Sequence, residues 1–182
     1  MPWDWLRNRL TWAGVRPPIL LALEGPALFF STVPARFLRY WLPVLVWMLV
    51  VFGASTSLGA PQYTSRFIRP FLLWLNPHMP ERTIQRIHYC VRKTAHVVEY
   101  SILGVLVWRL IHFEPAFAEH GMGRQIWLAL MFSALYAASD EFHQHFVAGR
   151  QAAVRDVLLD TCGAALGLLV LWLGRRLQTQ AA

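Results

Sequence analysis

A helix needs roughly 20 consecutive apolar residues to cross the hydrocarbon of a bilayer, and four stretches of this 182-residue chain come near that length. The first runs from Tyr40 to about Leu58, just after Arg36 and Arg39. The second runs from about Thr94 to Phe113, immediately after Arg92 and Lys93. The third, from about Ile126 to Phe146, carries Asp140 and Glu141 in its last turn. The fourth, from about Val157 to Leu173, is closed by Arg175 and Arg176. A chain with this pattern is expected to be an all-α integral membrane protein, a bundle of about four transmembrane helices with short interfacial segments. Composition agrees: 56% of residues are hydrophobic and only 15% charged, with nine Trp and eleven Phe, against about 25% charged in an ordinary soluble domain. Disorder, a nucleic-acid tail and a small disulfide scaffold are excluded on these grounds. The formal charge of +7 is spread between apolar runs, which suits anionic headgroups and argues for no nucleic-acid partner.

The remaining segments read as interfacial. Residues 17–30 are apolar but broken by Pro17, Pro18 and Glu24-Gly25-Pro26, so a re-entrant or surface-lying segment is expected there, with a fifth helix as the alternative. No cleavable signal is expected. Phe67, Ile68, Phe71, Leu72 and Leu75 make one apolar face with Arg66 and Arg69 off it, the pattern of a short helix in the headgroup plane. Asn76-Pro77-His78-Met79-Pro80 breaks the chain, and Pro80 is placed to open the helix leading into the second span. The expected organisation is an N-terminal segment 1–38, a four-helix domain 39–176 and a tail 177–182.

Connectivity alone puts the end of span one, the start of span two, the end of span three and the start of span four on one side of the membrane. The unusual polar residues sit at those ends: Ser55, Thr56 and Ser57; Lys93, His96, Glu99 and Tyr100; Asp140, Glu141 and Gln144; Asp156 and Asp160. A charge inside a span costs about 2.5–3.5 kcal/mol unless it is paired or reaches water. At 100° per residue, Lys93, His96 and Tyr100 fall within an arc of about 60°, with Glu99 about 60° further round. Asp140 and Gln144 share a stripe with Glu141 beside it. Asp156 and Asp160 share another, continued by Gly163 and Gly167 as a small-residue contact surface. A polar pocket between spans two, three and four is expected, open to one surface.

Its expected ligand-binding residues are Lys93, His96, Tyr100, Asp140, Glu141, Gln144, Arg150, Asp156 and Asp160. The plainer reading is interfacial salt bridging: Lys93 with an acid, Arg150 with Asp156, the rest snorkelling to headgroups. His143 and His145 point about 200° apart on a helix, so they could join Asp140 and Glu141 around one metal ion only if the helix has already ended, and no metal site is expected. Cys90 and Cys162 are expected as buried small residues, and His78, His88, His112 and His120 as loop or interface residues. Basic residues divide almost evenly between the two sides, which leaves orientation open. Discounting those within the polar cluster places both termini in the cytoplasm.

Three ordered motifs carry a resemblance. Arg92-Lys93-Thr94-Ala95-His96-Val97-Val98-Glu99-Tyr100-Ser101-Ile102-Leu103-Gly104 resembles the second-helix signature of VanZ-like membrane proteins. Ser139-Asp140-Glu141-Phe142-His143-Gln144-His145-Phe146, then Gly149-Arg150, Asp156, Gly163 and Gly167, resembles the family's third and fourth helices. Phe52 to Ser57 resembles the end of the first. The similarity covers about residues 40–173. Ala148 stands where the family often has proline, Gln151, Ala152 and Ala153 where small or hydroxyl residues often follow the arginine, and Asp160 where Asn is usual. The family is named for low-level resistance to the glycopeptide teicoplanin. The resemblance implies a four-helix domain in the bacterial cytoplasmic (inner) membrane, and it supplies no accepted mechanism and no cofactor. Teicoplanin acts on lipid-linked wall precursors outside the cell, which fits an outward-facing cluster.

Three function classes fit these residues. The pocket holds a membrane lipid headgroup or lipid-linked cell-wall precursor, with Lys93, Arg150 and Arg155 meeting its phosphate. Alternatively His96, Glu99, Asp140 and Glu141 carry acid–base catalysis of hydrolysis or group transfer on an envelope lipid. In the third class the charged end docks a partner protein. Ligand, enzymatic status and oligomeric state are not legible in the chain.

Overall fold

The computed structural model describes residues 35–56, 61–117, 119–147 and 153–181, and every regular element among them is helical. The segment at 17–30 and the loop bearing Arg150 lie outside the described residues. The chain divides into two compact units, Met1–Trp41 and Leu42–Ala182. In the first, the described residues include one π-helical stretch, Phe37–Trp41, in which Arg39 lies over the Tyr40 ring. The second contains α1 (Leu42–Ser55), α2 (Pro61–Leu75), α3 (Glu81–Phe113), a 3-10 turn at Pro115–Phe117, α4 (Met122–Gln144) and α5 (Val154–Ala181).

Three helical stretches are individually long and apolar enough to cross a membrane: Phe37–Ser55, Glu81–Phe113 and Val154–Gln180. The fourth expected span corresponds to α4, 23 residues long, which is not among these three. Its hydropathy is diluted because the face it turns inward is polar or small: Gln125, Ala129, Ser133, Ala137, Asp140, Glu141 and Gln144 are all buried. These residues recur every three or four positions, so one stripe of the helix is given to neighbours rather than to lipid.

The bundle has an apolar core and an apolar exterior as well. On α3 the buried positions are Tyr100, Leu103, Gly104, Val107, Trp108 and Ile111, one face of a 3.6-residue helix. On α1 they are Val44, Val51 and Ser55. Leu45, Leu49 and Val50 of α1, Phe132 and Leu135 of α4, and Leu166, Leu169 and Val170 of α5 are exposed. Lipid is as apolar as these side chains, so burial alone does not hold such helices together. Close backbone approach does. Gly163 lies so near α3 that a Cβ there would stand 2.7 Å from the Val97 carbonyl oxygen, and one at Gly167 would clash with the Ser101 carbonyl. Ser101 Oγ donates to the Gly163 carbonyl oxygen at 2.7 Å, across the same interface.

At 33 residues, α3 is about 50 Å long, against about 30 Å of hydrocarbon. Pro80 precedes its first turn, a place where proline's missing N–H costs nothing. The helix therefore starts well before Thr94, and its first turns stand beyond the apolar layer. α2 packs there: Thr64 hydrogen-bonds His88 at 2.7 Å, Arg69 meets Glu81 at 3.4 Å, and Leu72 and Ile84 are buried. Of the expected apolar face of α2, Leu72 turns inward while Phe67, Phe71 and Leu75 remain exposed.

The cysteines are corrected by the structure. Both are free thiols, but exposed rather than buried, because Cys90 and Cys162 lie on the outward faces of their helices.

Candidate functional site

Four helix ends deliver the polar groups. α1 ends at Ser55, α4 ends at Gln144, α5 begins at Val154, and α3 passes between them with Lys93, His96, Glu99 and Tyr100 in successive turns. Two long-range bonds fix α1 against the rest: Trp47 Nε1 donates to the Glu99 carbonyl oxygen at 2.9 Å, and Tyr136 OH donates to the Met48 carbonyl oxygen at 2.6 Å.

Asp140 is buried, at 3% exposed. Ser55 Oγ donates to its Oδ2 at 2.5 Å, and Gln144 Nε2 donates to the same oxygen at 3.0 Å and to Ser55 Oγ at 3.2 Å. This triangle ties the end of α1 to the end of α4. Asp140 Oδ1 is buried and has no hydrogen-bond partner among the described residues. The same holds for Tyr100 OH and Asp160 Oδ1, on residues that are respectively 0% and 1% exposed.

Two acid–base contacts link α3 to α5. Lys93 Nζ lies 2.5 Å from Asp156 Oδ1, both side chains about one quarter exposed. One turn deeper, His96 Nδ1 lies 3.4 Å from Asp160 Oδ1. Distance and charge suit that contact, but its geometry is not that of a hydrogen bond, since both atoms lack a bonded partner. Glu141 sits at the start of α5, where its Oε1 accepts the Ala153 N–H at 2.5 Å. A carboxylate there meets one of the unpaired donors, and the positive end, of a helix N-terminus.

A cleft of about 110 Å³ opens beside this network, lined by Ala54, Ser55, Thr64, Arg92, Ala95, His96 and Glu99. Ala54 and Ser55 come from α1, Thr64 from α2 and the others from α3. It has room for roughly three or four waters at about 30 Å³ each, the size of a small polar headgroup rather than a peptide.

The structure thus brings together Lys93 with Asp156, His96 with Asp160, and Asp140 with Gln144. Tyr100 is enclosed in the bundle, and Glu141 is engaged by the backbone of α5. Glu99 is half-buried and faces the cleft. Lys93, rather than Arg150, is the described partner of Asp156, and Arg150 itself lies outside the described residues. His143 packs on Phe52 and His145 on Phe146, with ring centroids 4.7 and 5.4 Å apart. Among the described residues no three His, Cys, Asp or Glu side chains are grouped to hold a metal. His88 bonds α2 and His112 stacks on Trp108, so both serve packing between elements.

Three contributors were not among the expected binding residues: Ser55, Thr64 and Arg92. The available signals were the hydroxyl cluster at the end of span one and the position of Arg92 one turn before His96. Thr64 had no signal, because its place depends on how α2 folds back onto α3.

These features define an all-α membrane protein with a polar cluster and a small cleft at one end of an otherwise apolar bundle. Residues 40–175 match the VanZ/LLP1 family, and the chain belongs to it. No curated protein and no solved structure matches the chain.

Proposed function

We propose that the polar end of the bundle binds the headgroup of an anionic lipid or lipid-linked cell-wall precursor, in the bacterial cytoplasmic membrane. The observation that carries this is the cleft between α1, α2 and α3, where Arg92, Thr64 and His96 face one small space at the edge of the apolar layer. A guanidinium engages phosphate through two parallel N–H donors. Arg92 makes no hydrogen bond or salt bridge of its own among the described residues. Lys93 and His96 are already set against acids, which assigns them to holding the walls of the site. With the basic residues of the polar cluster discounted, the remaining charges favour cytoplasmic termini, and on this reading the cleft faces outward, where glycopeptides such as teicoplanin meet wall precursors. A headgroup held there is the link to resistance.

A second reading, intramembrane acid–base catalysis on such a lipid, is favoured by one observation. Asp140 Oδ1, Asp160 Oδ1 and His96 Nδ1 are all buried without a bonded partner among the described residues, as groups reserved for proton transfer would be.

Mass spectrometry of lipids and lipid-linked precursors separates these readings. Cells expressing wild type, Arg92→Gln or Asp140→Asn are compared at matched protein levels, and so are the lipids that copurify. Binding predicts an anionic lipid on the wild type that is lost from Arg92→Gln, with no new covalent species. Catalysis predicts a product made by the wild type and absent with Asp140→Asn. Identical lipid profiles in all three overturn both and direct attention to partner proteins.

A further inference from the structure

A second charged cavity lies at the other end of the bundle. α3 finishes there at Phe113, α4 begins there at Met122, and α5 leaves its apolar stretch after Leu173 and continues through Arg175 and Arg176 to Ala181. The cavity has a volume of about 400 Å³ and is lined by Met122, Trp172, Arg175, Arg176, Thr179 and Gln180. One wall is apolar and aromatic. The other carries two guanidiniums, a hydroxyl and an amide, and no carboxylate among the described residues lines the space.

Each guanidinium is laid on an indole. Arg175 Cζ lies 4.6 Å from the centre of the Trp108 ring, and Arg176 Cζ lies 4.1 Å from that of Trp172. Stacking uses the flat face of the cation and leaves its in-plane N–H donors available. Neither arginine makes a salt bridge among the described residues. The rings also hold the two long side chains in place, so less freedom is lost when an anion is bound. The C-terminal dipole of α5 opposes an anion with about half a negative charge, screened by water and confined to the last turn. Two full positive charges outweigh it. Tryptophan beside arginine at the end of an apolar span marks headgroup depth.

From this arrangement we infer that the cavity binds a phosphate group, carried by an anionic lipid of the leaflet opposite the polar cluster or free in the adjacent water. The site is separate from the cleft proposed above and stands whether or not that cleft binds lipid.

Native mass spectrometry of the purified full-length chain tests it, with phosphatidylglycerol and phosphatidylcholine titrated in turn. The expected result is that Arg175→Gln/Arg176→Gln weakens phosphatidylglycerol binding by about tenfold or more, the loss of a charge-assisted pair, and leaves phosphatidylcholine unchanged. The same loss is expected in an Arg92→Gln background, which separates this site from the cleft. Equal phosphatidylglycerol binding by wild type and Arg175→Gln/Arg176→Gln overturns the inference. Arg175→Lys/Arg176→Lys preserves charge and guards against a folding failure. It is expected to bind more weakly than wild type, and wild-type affinity in that variant replaces the stacked guanidinium site with diffuse charge, which also overturns it. Displacement of lipid by millimolar inorganic phosphate identifies free phosphate as the occupant; no displacement identifies the lipid.

Discussion

Inside the bundle the Asp140 carboxylate uses one oxygen for Ser55 and Gln144 and leaves the other without a partner among the described residues. A buried acceptor stripped of its donor loses its compensation for desolvation, at a cost of about 1–3 kcal/mol. Ser55→Ala is therefore expected to lower stability by that amount, read as the midpoint of thermal unfolding in detergent, while leaving the helices formed. Asp140→Asn keeps one acceptor and loses the charge, so a smaller destabilisation is expected together with whatever functional loss the lipid measurements reveal. Spacing on each helix was enough to select Asp140, His96 and Asp160, because an acid or histidine within an apolar span stands out by its cost. Which of them would pair was not legible. His96 and Asp160 sit on helices with the whole of a third between them in the chain, and a stripe on one helix does not specify the register of another.

At the scale of the element, the α3–α5 interface rests on glycines without side chains. A Cβ at Gly163 would stand 2.7 Å from a backbone oxygen that cannot rotate away, whereas Gly174 has nothing within 4 Å. Gly163→Ala is expected to push the helices apart and cost about 1–3 kcal/mol. Gly174→Ala should stay within about 0.5 kcal/mol of wild type. A comparison of the two unfolding curves checks both. Glu141 supplies another test, since it ties the end of α4 to the start of α5 through the Ala153 N–H. Removing that cap in Glu141→Ala is expected to cost about 0.5–2 kcal/mol and to speed amide exchange at Ala153 and in the first turn of α5. The helices themselves were readable from apolar runs ended by arginine. The early start of α3 was readable only in part: Pro80 signals it, but the polar stretch Glu81–Lys93 hides its continuity, since hydropathy reports the solvent around a helix rather than the helix.

For the whole molecule, membership of the VanZ/LLP1 family and an apolar exterior agree on a bundle set in lipid, with paired acids and bases at one end and arginines over indoles at the other. Orientation is open to a direct test. Cys90 is exposed on the part of α3 before Thr94, and Cys162 is exposed within the span of α5. With the polar end outward as proposed, a membrane-impermeant maleimide should label Cys90 in intact spheroplasts and spare Cys162, which faces hydrocarbon. Cys90 labelling that needs permeabilised membranes would reverse the assignment. The collection of polar groups at one face followed from the up-and-down order of the spans. The cleft did not, because it depends on α2 folding against the projecting part of α3, a packing decision with no periodic trace in the chain.

That projecting part has a kinetic side. On the proposed function, an amphiphile already anchored in the leaflet would reach the cleft by sideways diffusion in two dimensions. Its effective concentration at the cleft is set by membrane area rather than cell volume, and it exceeds that of the same headgroup free in water. For the lipid ligand proposed above, a modest intrinsic affinity would then suffice for high occupancy.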